Sequence, residues 1–317
     1  MLYEELISYD KNNKVQLNLS FVYKFMDCGG DCDNCPHREA CQNGEVPESI
    51  VEALNDIKDS LENCHNKILV LSGKGGVGKS TVSYLISKYF SESHTVGVLD
   101  ADLCGPSLPI LFNAPTEPLL QSALGIQPYP IGDKLELVST QFFLENKDDA
   151  VIARGPMKNQ LILQFLRDVN WGEIDFLVVD TPPGTSDEHL SIVNFMKEAG
   201  IDGAVIVTTP EEMSLADVRR EIQFCRRAGV NILGVVENMS SFICPKCNNE
   251  SSIYPRTTGG AEELCKNEQL DLLGKISIDP LIISGCVGEN YQISEQTYNS
   301  VALICHNILE KLNLNHQ

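Results

Sequence analysis

The sequence has few positive charges and no long apolar run. It contains 24 Lys and Arg against 44 Asp and Glu, which gives its 317 residues a formal net charge of −20. Nucleic-acid binding needs clustered Lys and Arg to neutralise phosphates, so this balance argues against it. No run approaches the ~18 apolar residues of a membrane span, and the N-terminus lacks the pattern of a signal peptide. We therefore expect a cytoplasmic protein that binds neither nucleic acid nor a membrane.

Cysteine, in contrast, is abundant, with 12 residues in the chain. Disulfides are rare in a reducing cytoplasm, so clustered cysteines there indicate a metal site and scattered ones indicate core positions. The clusters lie at residues 28–41 and 244–247. The scattered cysteines that we predict to be small core residues are Cys64, Cys225, Cys265, Cys286 and Cys305.

The chain divides at about residue 66. Residues 1–66 are polar and irregular apart from a helical run near 47–61, and we predict that they form an N-terminal arm. Over residues 67–317 apolar runs alternate with amphipathic helical patterns, which predicts an α/β domain with a mostly parallel sheet covered by helices on both faces. The predicted strands are Ile68–Leu71, Thr95–Leu99, Leu135–Val138, Phe176–Val179, Ala204–Val207, Ile232–Val236 and Leu272–Ile276. The predicted helices are Ser80–Tyr89, Met157–Arg167, Ser186–Lys197, Ser214–Arg227 and Ala261–Cys265.

A glycine-rich segment directly follows the first of these strands. Residues 73–80 read GKGGVGKS and fit the pattern G-x-x-x-x-G-K-[ST], in which backbone N–H groups and a helix N-terminus bind phosphates. In this pattern Lys79 reaches the β- and γ-phosphates and Ser80 ligates Mg²⁺. The expected cofactors are therefore ATP and Mg²⁺. The predicted nucleotide contacts in this segment are Gly73, Lys74, Gly75, Gly76, Val77, Gly78, Lys79, Ser80 and Thr81.

Acidic residues end two of the predicted strands. Asp180 follows Phe176–Val179 and precedes two prolines that cannot continue a strand, which predicts a carboxylate that organises Mg²⁺. Asp100 and Asp102 follow another strand. Beside a bound nucleotide, one of them would orient the attacking water and the other would support the metal shell. Judged by position alone, it is equally compatible with the sequence that both are turn residues exposed to solvent.

The pair Cys244 and Cys247 forms a C-x-x-C turn, which places two thiolates on one metal. Iron–sulfur clusters and structural zinc commonly use four thiolates, and a symmetric dimer would supply the other two. A redox dithiol and a metal-free turn are equally compatible with the residues.

The N-terminal cluster holds four cysteines within fourteen residues, with small and turn-forming residues between them. Such a segment suits either an iron–sulfur cluster or zinc, since both accept four thiolates. Its cysteines are Cys28, Cys32, Cys35 and Cys41.

Several motifs resemble one family. Lys74, directly after the first glycine of the phosphate-binding segment, resembles the deviant phosphate loop of the Mrp/MinD class of ATPases. Residues 154–159, 180–189, 237–240, 244–247 and 257–260 resemble the Mrp/Nbp branch of that class, which assembles and transfers iron–sulfur clusters. The spacing of Cys32, Cys35 and Cys41 is similar to the eukaryotic cytosolic subfamily with an N-terminal cysteine motif. Cys28 departs from that subfamily, whose first cysteine lies further upstream.

The resemblance implies roles for individual residues. It makes Lys74 a contact to the phosphates bound by a second subunit, and Asp102 the residue that positions water. It makes Asp180 the magnesium residue and Asn238 an adenine contact. The expected catalytic residues are therefore Lys74, Lys79, Asp102 and Asp180. Asp100 is added to the expected nucleotide-binding residues.

The resemblance also implies cargo and partners. Cys244 and Cys247 would hold a [4Fe–4S] cluster between two subunits, and the N-terminal cysteines would hold another. The expected assembly is a homodimer or a heterotetramer with a related scaffold ATPase that lacks the N-terminal cysteines. It would pass clusters to cytosolic and nuclear apoproteins and transfer factors, with slow hydrolysis in their absence.

Three rival functions are compatible with the phosphate-binding motif. A MinD/ParA-like positioning ATPase would bind a membrane or DNA, for which the sequence has no basic patch. An ATP-driven electron donor like the nitrogenase iron protein would take its bridging ligands from two separated loops. A zinc-stabilised ATPase would have no role in cluster transfer.

Overall fold

An eight-stranded sheet lies at the centre of the fold. The structure is a computed structural model and describes residues 7–9, 15–17, 48–103, 105–114, 119, 121–122, 125–143, 155–247, 249–285 and 293–313. The strand order is β14-β11-β10-β3-β9-β4-β8-β7, and neighbouring strands are parallel except for the antiparallel pair β7–β8. Its strands are β3 (Cys64–Leu71), β4 (Val96–Asp100), β7 (Tyr129–Gly132), β8 (Leu135–Ser139), β9 (Ile174–Asp180), β10 (Gly203–Thr208), β11 (Ile232–Glu237) and β14 (Leu272–Lys275).

Three two-stranded pairs complete the described strands. They are β1 (Ile7–Tyr9) with β2 (Val15–Leu17), β5 (Gln121–Ser122) with β6 (Gly125–Ile126), and β12 (Phe242–Ile243) with β13 (Glu250–Ser251). The described helices are α1 (Glu48–Ser60), α2 (Lys79–Phe90), α3 (Leu108–Leu111), α4 (Gly155–Asp168), α5 (Asp187–Lys197), α6 (Glu212–Ala228), α7 (Gly260–Glu268), α8 (Pro280–Gly285) and α9 (Glu295–Lys311), with a 3₁₀ turn at Thr140–Phe143.

Helices cover both faces of the sheet because its central strands are apolar on both sides. Along β3, Leu69 and Leu71 belong to one buried cluster, whereas Ile68 and Val70 belong to the other. Side chains of α1, α4, α5, α6 and α7 fill the first cluster, and those of α2 and α9 fill the second. This confirms the predicted doubly covered parallel sheet.

The edge strand β7 was not predicted. Its sequence, Tyr-Pro-Ile-Gly, contains a proline that cannot donate to a sheet ladder and is therefore confined to an edge. It pairs antiparallel with β8 at the border of the sheet, with a register irregularity between Pro130 and Gly132. The short pattern carries no signal strong enough to separate it from a turn.

Helix α1 packs on the same core as the central sheet. Ile57 and Leu61 are fully buried in the first cluster. The boundary expected after residue 66 falls inside β3, so in the described chain the packed domain begins at about Glu48. The four N-terminal cysteines predicted to bind a cluster lie outside the described residues, as do Cys104 and Cys286.

None of the described helices is both long enough and apolar enough to cross a membrane.

Candidate functional site

The phosphate-binding segment and the two acidic strand ends meet at one edge of the sheet. Strand β9 lies between β3 and β4, and the register places Asp180 opposite Val70 on one side and Asp100 on the other. Parallel strands end at the same edge, so residues that are 80 positions apart in sequence become neighbours (100 and 180).

The segment from Gly73 to Ser80 forms a phosphate cradle. Gly76 and Gly78 have φ angles of 82° and 81°, a left-handed conformation that side chains disfavour. Helix α2 begins directly afterwards at Lys79, so its N-terminal N–H groups face the cradle. A cavity of about 330 Å³ opens there. It is lined by Ser72, Lys74, Gly75, Gly76, Gly78, Lys79, Ser80, Thr81, Asp102, Gly105, Ser107, Ile110, Leu111 and Pro183.

Asp180 is the centre of the polar contacts beneath the cradle. Its carboxylate lies 2.8 Å from Lys79 Nζ and accepts hydrogen bonds of 2.6 Å from Ser80 Oγ and from Ser83 Oγ. Asp180 is fully buried and Lys79 is 6% exposed, so the pair is shielded from solvent. The residues fit Mg-nucleotide, because Ser80 and Asp180 offer adjacent oxygen ligands while Lys79 reaches the same point. Bound Mg-nucleotide would supply the scissile phosphate and the charge that polarises it.

The surroundings of Asp100 favour the protonated form of its carboxyl group. Burial and the neighbouring charge of Asp180 raise its pKa to about 8, while Lys79 lowers it in part. Its oxygens accept hydrogen bonds from Ser139 Oγ at 3.2 Å and from the N–H of Leu108 at 3.3 Å. Near neutral pH Asp100 therefore holds a proton.

Asp102 lies on the cavity wall beyond Asp100. It is partly exposed, and its carboxylate accepts a hydrogen bond of 3.3 Å from the N–H of Gly105. This position beside the cradle suits a residue that holds water. Its catalytic role stays a prediction.

Lys74 is held by its own chain. Its Nζ lies 2.9 Å from Glu211 Oε1, at the N-terminal end of α6. The same helix packs against the start of the cradle, where a Cβ on Gly73 would lie 2.5 Å from the carbonyl carbon of Asp217. Burial opposes ionisation of Glu211, but its hydrogen bonds with Lys74 and Ser214 outweigh this and lower its pKa to about 2. Lys74 must leave Glu211 before it can reach another subunit.

Asn238 is hydrogen-bonded to the backbone of the cradle. Its side chain is 5% exposed and donates a 2.9 Å hydrogen bond to the carbonyl of Val77. The contact explains the need for glycine at 78, where a Cβ would lie 2.2 Å from Asn238 Nδ2. The predicted contact with adenine remains a prediction.

The loop after Asp180 closes one side of the cavity. Pro183 lines the cavity, and the N–H of Gly184 donates a 2.7 Å hydrogen bond to the carbonyl of Ser72. Helix α4 fixes the start of α5 beyond this loop. Lys158 Nζ of α4 lies 2.7 Å from Glu188, which brings the motifs 154–159 and 180–189 together.

Sequence reasoning missed several residues of the site. Ser83 lies one helical turn after Ser80, a spacing that would have identified it. Glu211 carries no motif signal, since only the packing of α6 brings it to Lys74. Outside the cavity, the buried pair His189 and Glu221, whose Nε2 and Oε1 lie 3.0 Å apart, likewise depends on the packing of α5 against α6.

The cysteine pair lies on the hairpin of β12 and β13. Cys244 is partly exposed and Cys247 is exposed. The Cys244 sulfur accepts hydrogen bonds from the backbone N–H of Lys246 and then of Cys247, which lower its pKa. The hairpin is closed by the N–H of Cys244, which donates a 3.0 Å hydrogen bond to the carbonyl of Asn249. Amides directed at a sulfur stabilise a thiolate, the form that binds metal.

The remaining described cysteines are core residues, as predicted. Those on β3, α6, α7 and α9 are all buried, and burial raises the pKa of each thiol. The pKa of Cys64 rises to about 11 and that of Cys265 to about 12. They are Cys64, Cys225, Cys265 and Cys305.

Known proteins match this chain in sequence and structure. A family model of the ParA group, described as NUBPL iron-transfer P-loop NTPase, matches residues 63–313. A nucleotide-binding protein from Archaeoglobus fulgidus, solved with ADP and with cobalt, is 35% identical with a TM-score of 0.64. That match covers 74% of this chain and 90% of the archaeal one.

More distant structures share the fold. The cell division ATPase MinD from Pyrococcus furiosus is 22% identical with a TM-score of 0.53, over 77% of this chain and 98% of MinD. A putative plasmid partition protein from Borrelia burgdorferi, bound to AMPPNP, is 17% identical with a TM-score of 0.54, over 78% of this chain and 99% of its own. At these identities the likeness concerns the fold alone. The family match spans most of the chain, and the protein is therefore a P-loop ATPase that belongs to the NUBPL iron-transfer family of the ParA group.

Proposed function

We propose that this ATPase is a scaffold that assembles [4Fe–4S] clusters and transfers them to cytosolic and nuclear apoproteins. The observation that carries the proposal is the solvent-accessible Cys244–Cys247 turn, in which two backbone N–H groups stabilise the thiolate form of the partly exposed Cys244. The iron-transfer description of the family supports the same cargo. A redox dithiol requires no second subunit, whereas a cluster needs two further thiolates.

The incomplete ligand set supports a shared site. Within the described residues, no group of three or more His, Cys, Asp and Glu is arranged to hold a metal ion. Two thiolates near a two-fold axis become four in a symmetric dimer. We propose a bridging cluster as cargo, with a second cluster on Cys28, Cys32, Cys35 and Cys41.

Nucleotide would bind between the two subunits. The ADP bound by the archaeal relative and the fit of the cradle support ATP and Mg²⁺ as cofactors. With Lys74 reaching the phosphates of a second subunit, ATP would hold two copies together and bring their cysteine turns into contact. The proposed assembly is a cytoplasmic homodimer or a heterotetramer with a related ATPase that lacks the N-terminal cysteines.

Removing both thiols of the turn tests the cargo. The full-length variant Cys244→Ser/Cys247→Ser, reconstituted anaerobically with iron and sulfide, is expected to lose one [4Fe–4S] cluster per dimer, about four iron atoms. Iron and sulfide analysis with Mössbauer spectroscopy measures the loss. ADP affinity should stay within about threefold of wild type, a change below 1 kcal/mol.

Cys64→Ala is the matched control, because Cys64 is fully buried and is not a proposed ligand. It should keep the wild-type iron content at a stability cost of about 1 kcal/mol. Equal iron content in wild type and the double serine variant would refute the bridging cluster. Loss of bound zinc in that variant, without iron uptake by wild type, would favour the zinc-stabilised ATPase.

Replacing Lys74 tests the shared nucleotide site. Lys74→Ala removes a charged contact to phosphate worth about 1.5–3 kcal/mol, so nucleotide-dependent self-association should weaken about tenfold or more. Analytical ultracentrifugation with Mg-AMPPNP measures the effect. ADP binding by the single chain should change little, because Lys79 and the cradle remain.

Lys275→Ala provides the control for Lys74→Ala. Lys275 forms a comparable 2.9 Å ion pair with Glu262, on α7 and away from the cradle. Self-association that is unaffected by Lys74→Ala would contradict the shared site. ATP-dependent binding to liposomes or DNA would instead favour a positioning ATPase, whose fold the MinD and partition structures share.

A further inference from the structure

A short segment, Glu237–Ser240, contacts the phosphate cradle and leads into the cysteine hairpin. The side chain of Asn238 donates to the carbonyl of Val77 in the cradle. On the far side, the N–H of Ser240 donates a 2.9 Å hydrogen bond to the carbonyl of Ile276. Cys244 follows four residues after Ser240. The segment therefore contacts the cradle and lies four residues before Cys244 in the chain.

Arg256 fixes the returning arm of the hairpin to the same segment. Its Nη2 donates to Glu237 Oε1 at 2.8 Å and to the carbonyl of Ser240 at 3.2 Å. Glu237 is fully buried, and its other oxygen accepts a 2.8 Å hydrogen bond from the N–H of Ala261. A charged hydrogen bond to a buried carboxylate is stronger than an exposed ion pair. Arg256, at the end of the hairpin segment, is thus bonded to Glu237 and Ser240 at its beginning.

Met239 occupies a strained position within the segment. Its φ angle is 53°, in the left-handed region that costs a residue with a side chain about 1–2 kcal/mol. The hydroxyl of Tyr254, on the returning arm, donates a hydrogen bond to the Met239 sulfur, with an oxygen–sulfur distance of 3.9 Å. The Met239 methyl group lies 3.5 Å from where a Cβ on Gly78 would be. The strained residue therefore contacts the returning arm of the hairpin and lies beside Gly78 of the cradle.

We propose that Glu237 and Arg256 are positioning residues for the Cys244–Cys247 turn, and that the Glu237–Ser240 segment transmits the nucleotide state of the cradle to it. Nucleotide binds the backbone amides of the cradle, whose Val77 carbonyl is the acceptor for Asn238. A shift of that carbonyl changes the hydrogen bond and moves a segment that Arg256 ties to the hairpin. The inference deepens the proposed function, because the turn that it positions is the proposed cluster site.

Hydrogen exchange of the full-length, metal-free protein tests the link. In wild type, Mg-ADP is expected to change amide exchange in the hairpin peptides spanning 242–256. Arg256→Ala should raise exchange there about tenfold, the effect of losing about 1.4 kcal/mol of local stability, and should abolish the response to Mg-ADP. ADP affinity should stay within about threefold, because Arg256 does not line the cradle. Arg256→Lys keeps the charge and should restore part of the protection.

Arg226→Ala is the matched control. Arg226 also donates to a carboxylate and a carbonyl, both of Glu268, at 2.7 and 2.6 Å. It connects α6 with α7 and has no contact with the hairpin in the described interactions. This variant should leave hairpin exchange and its nucleotide response unchanged.

Two outcomes would overturn the inference. One is hairpin exchange in wild type that is identical with and without Mg-ADP; the other is Arg256→Ala behaving as Arg226→Ala does. If Arg256→Ala does not fold, Met239→Gly removes the side-chain contacts and the strain, and loss of the nucleotide response is again expected. Because the measurement uses metal-free protein, failure of Cys244→Ser/Cys247→Ser to lose iron would refute the cluster site and leave this link intact.

Discussion

Asp180→Asn is expected to reduce Mg-dependent ATP hydrolysis by about 10²–10³-fold. The carboxylate of Asp180 accepts a hydrogen bond from Ser80 and forms an ion pair with Lys79. The phosphate-binding pattern assigns these two side chains to Mg²⁺ and to the β/γ-phosphates, respectively. An amide is a weaker metal ligand and leaves Lys79 without its negative partner. Loss of about 3–4 kcal/mol of transition-state stabilisation corresponds to this factor. Steady-state phosphate release at saturating Mg-ATP measures it.

Asp175→Asn is the control for this substitution on the same strand. Asp175 lies near the start of β9, where it accepts 2.8 Å hydrogen bonds from the N–H and hydroxyl of Thr95, far from the cradle. Its removal should lower stability and leave hydrolysis per folded molecule unchanged. Calorimetry establishes the folded fraction of each variant. Folded Asp180→Asn protein that hydrolyses ATP within threefold of wild type would exclude Asp180 as the magnesium residue.

The stability of the nucleotide-free protein should fall as the pH rises toward 8. Burial first, and then the charge of Asp180, raise the pKa of Asp100 from 3.8 to about 8. Between these values the folded state retains a proton that the unfolded state has released, so the free energy of unfolding decreases with rising pH. Above the folded pKa, the protein must bury a second charge beside Asp180.

Asp100→Asn removes this titration. The variant should show a flatter pH dependence between pH 5 and 9, and above pH 8 it should be more stable than wild type by about 1–3 kcal/mol. Denaturant unfolding in EDTA measures both. Asp175→Asn again serves as control: hydrogen bonds with Thr95 outweigh burial and lower the pKa of Asp175 below 3.8, so it stays ionised throughout this range. Parallel pH profiles for wild type and Asp100→Asn would contradict the proton on Asp100.

Local patterns predicted the fold and the centre of the nucleotide site. Apolar runs alternating with helical periodicity predicted the parallel sheet, because strands covered on both faces must be apolar throughout. The glycine pattern identified the cradle, since the left-handed φ angles at Gly76 and Gly78 need glycine whatever surrounds them. Asp180 was identified because a carboxylate at the end of an apolar strand is visible in sequence.

Contacts between distant segments escaped prediction. Lys74 was expected to reach another subunit, yet in the single chain it pairs with Glu211, which is 137 positions away. The ion pair between Glu237 and Arg256 was not predicted, because only the tertiary packing brings together two residues that are 19 positions apart in sequence. The proton on Asp100 depends on burial and on Asp180, and neither is a property of the local sequence.

The sequence by itself determined the identity of the chemical groups: a phosphate cradle, carboxylates at strand ends, and a closely spaced pair of thiols. These depend on backbone conformations and residue types that a few neighbouring positions specify. Only the tertiary structure decided which charges are buried, which lysine each carboxylate holds, and how the cradle is joined to the thiols. Those properties arise where strands and helices distant in sequence pack together, and the packing sets both the distances and the local dielectric on which charge interactions depend.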